Sequence, residues 1–120
     1  LSNLPTEIKW LNNLKDLQIH DNLLVALPDF IGDMSNLTKL DIHNNLLSYL
    51  PNSIANLQNL TFLNVAYNRL DELPEDLCGL TEVESINLEC NDLDSTSVDV
   101  ASCFNNLLGS QGDHPNCPDD

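Results

Sequence analysis

The chain has 120 residues, 42% of them apolar, with 19 acids against four bases and a formal net charge of −15. That length fits one domain. The charge opposes binding to phosphate backbones, and the absence of any run of about 18 apolar residues excludes a membrane-spanning helix.

The acids are also unevenly placed. Lys9, Lys15, Lys39 and Arg69 are the only Lys and Arg residues, and from Asp71 onward there are thirteen acids and no Lys or Arg. Such a surface suits solubility in a saline or extracellular medium, or a basic protein partner. No basic-then-apolar segment opens the chain. Leu1 aligns in register with Leu24, Leu47, Leu70 and Leu93, so the first residues are expected to lie inside an earlier unit of the same kind.

In chain order, Leu4-Pro5, Leu27-Pro28, Leu50-Pro51 and Leu73-Pro74 each open a unit of 23 residues. Proline lacks an amide donor and fixes its own φ, so each marks a place where the chain leaves a sheet. Ile8, Ile31, Ile54 and Leu77 follow three residues later, with Leu11, Met34, Leu57 and Leu80 three further on. That spacing predicts a short 3₁₀ or helical turn on the outer side of each unit.

The second half of each unit alternates. Leu14, Leu37, Leu60 and Val83 share one position; Leu17, Leu40, Leu63 and Ile86 share the next; Ile19, Ile42, Val65 and Leu88 share a third. Alternation around Leu40 and Ile42 predicts a short strand with one face inward, leaving Thr38, Lys39, Asp41, His43 and Asn44 outward. One unit cannot bury its own leucines, so equal units are expected to stack into a parallel sheet with strands about 4.8 Å apart. Asn22, Asn45, Asn68 and Asn91 also keep step. At the bend after the strand, backbone groups lose their ladder partners, and an inward carboxamide can both donate and accept there.

The repeat ends after Leu93, where Thr96 and Ser97 replace Leu-Pro. Ser97 as N-cap, then Val100, Cys103, Phe104, Leu107 and Leu108 at helical spacing up to Gly109, predict an amphipathic helix covering the last unit. Cys78, Cys90, Cys103 and Cys117 all fall in the last unit and this cap, with no C-x-x-C pair to suggest zinc. Three pairings are open. Cys78–Cys103 is preferred because the two are one period plus two residues apart, leaving Cys90–Cys117 to fasten the tail.

The repeated pattern L-x-x-L-x-L-x-x-N-x-L resembles that of leucine-rich-repeat proteins over residues 1–94. The L-P-x-x-I start is similar to a 23-residue class found in intracellular scaffolds and in bacterial and protist proteins. The resemblance implies an α/β solenoid: a parallel β-sheet on the concave face, 3₁₀ turns on the convex face, and a C-terminal cap over residues 95–120. It further implies that partners meet the concave face.

The outward columns there read Lys15/Thr38/Thr61/Glu84, Asp16/Lys39/Phe62/Ser85, Gln18/Asp41/Asn64/Asn87, His20/His43/Ala66/Glu89 and Asp21/Asn44/Tyr67/Cys90. Phe62 and Tyr67 beside His43, with Lys39, Asp41 and Asn64, are the expected contact patch for a protein or glycan. Trp10, Phe30 and Tyr49 occupy positions that are polar or small in other units, and are expected to make lateral or assembly contacts. Asn36-Leu37-Thr38 and Asn59-Leu60-Thr61 are glycosylation sequons one unit apart.

Chemistry is sparse. His20 and His43 should be sheet neighbours, with Asp41 on the same face, but an open sheet supplies no closed coordination sphere, and no resident metal or cofactor is expected. Nothing would exclude water or hold an oxyanion beside Ser85, so no enzyme is expected. The reading is a non-catalytic binding module in the extracellular space or at a cell surface. Its alternatives are a building block of a surface assembly and the sensing ectodomain of a larger receptor.

Overall fold

The computed structural model describes residues 3–93, 101–104 and 117. Four strands, β1 (Asp16–Gln18), β2 (Lys39–Asp41), β3 (Phe62–Asn64) and β4 (Ser85–Asn87), form one sheet in the order β1-β2-β3-β4. All three pairings are parallel, and the register places Leu17, Leu40, Leu63 and Ile86 side by side. Equal unit length is the cause. A 23-residue step returns each side chain to the same rung, so like residues stack.

Each coil leaves the sheet through its proline and makes a five-residue 3₁₀ turn: Thr6–Trp10, Asp29–Asp33, Asn52–Asn56 and Glu75–Gly79. Pro5, Pro28, Pro51 and Pro74 sit at the N-cap in extended or near-extended geometry, and their carbonyls accept from the amides of Ile8, Ile31, Ile54 and Leu77. The missing proline N–H costs nothing at this position, because a first-turn donor would have no partner within the turn. Successive turns pack on one another to form the second layer. Between the second and third turns the approach is close enough to require glycine: a Cβ on Gly32 would lie 2.4 Å from the Ser53 carbonyl oxygen.

The core lies between the layers. Leu40, Leu63, Ile42, Val65, Leu37 and Leu60 are completely buried, whereas Leu14 and Ile19 in the first coil are only partly so. A solenoid coil is covered by its neighbours on either side, so burial falls at the ends.

The asparagine column is inward and hydrogen-bonded. Asn68 Oδ1 accepts from the Leu47 amide of the preceding coil at 3.0 Å, while its Nδ2 donates to the carbonyls of Ile42, Val65 and Ala66. Asn45 repeats the arrangement with the Leu24 amide, and Asn91 with the Leu70 amide. Each carboxamide therefore ties its own bend to the coil before it.

Beyond the repeats, Ala101–Phe104 forms a 3₁₀ turn that packs against Glu75–Gly79, with Phe104 in the core cluster. The rest of the expected cap, including Ser97, Val100, Leu107, Leu108 and Gly109, lies outside the described residues. Cys78 is bonded to Cys103 and Cys90 to Cys117, with Cα separations of 5.9 and 5.2 Å.

Candidate binding surface on the sheet

The outward side chains of the strands are set by the register. Lys39 and Phe62 are cross-strand partners, and the Lys39 ammonium stands 5.0 Å from the Phe62 ring centroid. That is a cation–π pair on an open face, where it contributes about 0.5–1 kcal/mol. It holds the aromatic ring against the sheet with a positive charge above it.

One rung on, Asp41 and Asn64 serve the backbone as well as the surface. Asp41 Oδ1 accepts from the His43 amide at 3.2 Å, Asn64 Oδ1 from the Ala66 amide at 3.1 Å, and Asn87 Oδ1 from the Glu89 amide at 3.0 Å. These residues close the bend that ends each strand, as Asx side chains do in turns. Gln18, the first member of the column, is too long for that contact and binds Asp16 instead.

After the strand the side chains no longer alternate simply. Asp21, Asn44, Tyr67 and Cys90 all have positive φ, between 57° and 60°. Asn and Asp enter this left-handed region more easily than tyrosine does, so the backbone at Tyr67 is strained. Two expectations about the columns are corrected here. Ala66 and Cys90, expected among the outward columns, are both buried, and Cys90 is disulfide-bonded, so neither offers contact surface.

The first two coils carry a different cluster. The imidazoles of His20 and His43 stack with centroids 4.7 Å apart and planes 11° from parallel. His20 Nδ1 pairs with Asp21 Oδ2 at 2.9 Å, and His43 Nδ1 with Asp41 Oδ1 at 2.5 Å. The Asp21 side chain also accepts from Asn44 Nδ2 at 2.6 Å. Hydrogen bonding to Asp21, reinforced by the nearby Asp41 charge, raises the His20 pKa above its ordinary value. Asp21 is held below the usual carboxylate range, first by the Asn44 hydrogen bond and then by His20.

The remaining singled-out residues are dispersed. Trp10 is 70% exposed and Tyr49 44%, whereas Phe30 is half-buried and offers less surface than expected. Asn36 and Asn59 are exposed, yet each amide donates to the previous coil, to Asn12 and Ser35 carbonyls respectively. Thr38 and Thr61, the third residues of the two sequons, likewise bond to the carbonyls of Lys15 and Thr38. These side chains are clasps between coils. The role of Asp21 in the histidine cluster was not foreseen, and its only sequence signal is its place just before the ladder asparagine.

The leucine rich repeat family pattern matches residues 12–70. A leucine-rich-repeat protein of Leptospira interrogans is 39% identical and superposes with a TM-score of 0.72, covering 83% of this chain and 26% of that one. The chain is a leucine-rich-repeat protein. An internalin of Listeria monocytogenes is 27% identical with a TM-score of 0.80, covering 93% of this chain and 33% of that one. This leucine-rich-repeat chain thus spans between a quarter and a third of the length of these solved structures. No curated protein matches it. Among its described residues no helix is long and apolar enough to cross a membrane.

Proposed function

We propose that the protein is a non-catalytic module that captures a protein through the open face of its sheet, in the extracellular space or at a cell surface. The observation carrying this reading is the contrast between faces. The inner rungs repeat the same aliphatic residues, while the outer rungs change type from coil to coil and set Lys39, Phe62 and Asn64 on adjacent strands, with Tyr67 in the bend that follows β3. Aromatic side chains on such a rigid surface are favourable anchors. Two disulfides and the similarity to an internalin support the location. A glycan could use the same surface, stacking a sugar ring on Phe62.

The test is partner capture by immobilised protein, comparing the unmodified chain with Phe62→Ala and Tyr67→Ala. Loss of capture with unchanged circular dichroism supports the reading, whereas undiminished capture by the folded double variant removes this patch. Intact mass before and after reduction counts the disulfides, and a mass excess at Asn36 or Asn59 would report glycans.

A second reading, assembly through the first coil, rests on one observation. Of five large apolar side chains exposed among the described residues, four (Trp10, Leu11, Leu23 and Val25) lie within the first 25 residues. Light scattering at rising concentration supports assembly if the mass increases and Trp10→Ser prevents it. A constant monomer mass removes it.

A further inference from the structure

We propose that His20, His43 and Asp21 form a surface site for a divalent transition-metal ion of the zinc or nickel type. Each residue offers one ligand atom, and the three atoms lie within 4.8 Å of one another. The site was not expected from the sequence, which placed only Asp41 beside the two histidines. The third donor comes from Asp21, which follows His20 directly and bonds to its ring. The left-handed turn at Asp21, with φ of 60°, sets the backbone there, and Asn44 of the next coil fixes the carboxylate.

The register does the rest. His20 and His43 occupy the same rung position one period apart, so stacking the coils also stacks the rings. Asp41 engages His43 Nδ1, leaving Nε2 as the lone-pair nitrogen of that tautomer. Carboxylates in this outer role orient metal-ligating imidazoles and raise their basicity.

Tetrahedral zinc with bonds of about 2.0–2.1 Å needs ligand atoms about 3.3 Å apart. The present spacing must therefore close by about 1.5 Å by that geometry, which torsions of the two imidazoles supply without moving the core. Asp21 is exposed and both rings are only partly covered, so no buried contact opposes the movement. Two imidazole nitrogens and one carboxylate favour zinc, nickel or copper over calcium and magnesium, which take oxygen donors. Water completes the sphere. The site is independent of partner capture, so either proposal can fail alone.

The experiment is calorimetric titration of the disulfide-intact chain with zinc chloride near neutral pH. One equivalent should bind, and His20→Asn and His43→Asn should each weaken binding at least tenfold, with Asp21→Asn weakening it less. His114→Asn, altering the third histidine of the chain, should leave it unchanged. Excess calcium should not displace the zinc. Absence of saturable binding, or binding that survives the double histidine variant, overturns the proposal, since the latter assigns the ion to diffuse acidic surface. Should a variant lose its circular dichroism signal, NMR of the unmodified chain decides: zinc must shift the His20 and His43 imidazole resonances, and unmoved resonances reject the site.

Discussion

Replacing Asn68 by Leu exchanges a buried polar side chain for an aliphatic one of similar size, and should nonetheless destabilise the protein. The four contacts of Asn68 do not carry equal weight. The Ile42 carbonyl is also bonded by Asn45, the Val65 carbonyl by Asn91, and the Ala66 carbonyl by the Asn44 amide. Those acceptors keep a partner in the variant. The Leu47 amide does not: it is given to Asn68 Oδ1, and Leu47 is completely buried. An orphaned buried N–H costs about 1–3 kcal/mol, and the two amide protons that Asn68 donates contribute about 1 kcal/mol each. Burying the leucine side chain returns about 1–2 kcal/mol, so the net loss is about 2–3 kcal/mol. At about 4 °C per kcal/mol for a chain of this size, the thermal midpoint should fall by roughly 10 °C. Urea unfolding followed by circular dichroism, with disulfides intact, measures the difference. An unchanged or raised midpoint would refute the assignment of the asparagine column as a satisfied polar ladder.

Three further outcomes follow from local geometry. Gly32→Ala places a Cβ against the Ser53 backbone and should cost about 1–3 kcal/mol in urea unfolding, whereas Gly79→Ala, with open space around it, should change stability by less than about 0.5 kcal/mol. Tyr67→Asn relieves a left-handed tyrosine and should stabilise by about 0.5 kcal/mol or more; a loss above about 1 kcal/mol would show that ring packing outweighs backbone strain. NMR titration in the absence of metal should place the His20 midpoint above the ordinary histidine value, and Asp21→Asn should lower it. Because the folded-state value is raised, this histidine's contribution to stability is complete below its unfolded pKa and disappears as pH rises through the folded one. An unmoved midpoint in the Asp21 variant would reject the hydrogen bond as the cause.

The inner architecture was legible because it repeats. A common 23-residue step for Leu40, Leu63 and Ile86 can be satisfied only if these residues share a rung, and the four asparagines mark the bend in the same way. The disulfide pairing preferred on spacing is the pairing the structure contains. The outer face was less legible for a definite reason. Period-two alternation holds only within a strand, and these strands are three residues long. Beyond the strand the chain bends into a left-handed residue, and exposure there varies with the residue itself: Asp21 and Asn44 are exposed, whereas Ala66 and Cys90, the latter disulfide-bonded, are buried. Asn36 and Asn59 stand in sequons, and the bonds their side-chain amides make to the previous coil depend on the stacking distance between coils, which leaves no trace in residue spacing.

The same division explains how the fold can support recognition. Coil-to-coil contact is maintained by buried aliphatics, by the asparagine column and by backbone bonds such as the Ile42 amide to the Asn64 carbonyl. None of these depends on what stands at Lys39, Phe62 or Tyr67. Substitution on the open face should therefore alter binding with little change in stability, except where an outward residue also closes a bend. Asp41 and Asn64 are such exceptions, because each bonds an amide two residues ahead. Changing either to alanine removes both a surface group and a turn closure, so altered binding in those variants must be corrected for altered fold. Phe62 and Lys39 carry no such double duty in the backbone, and they give the cleaner account of what the sheet recognises.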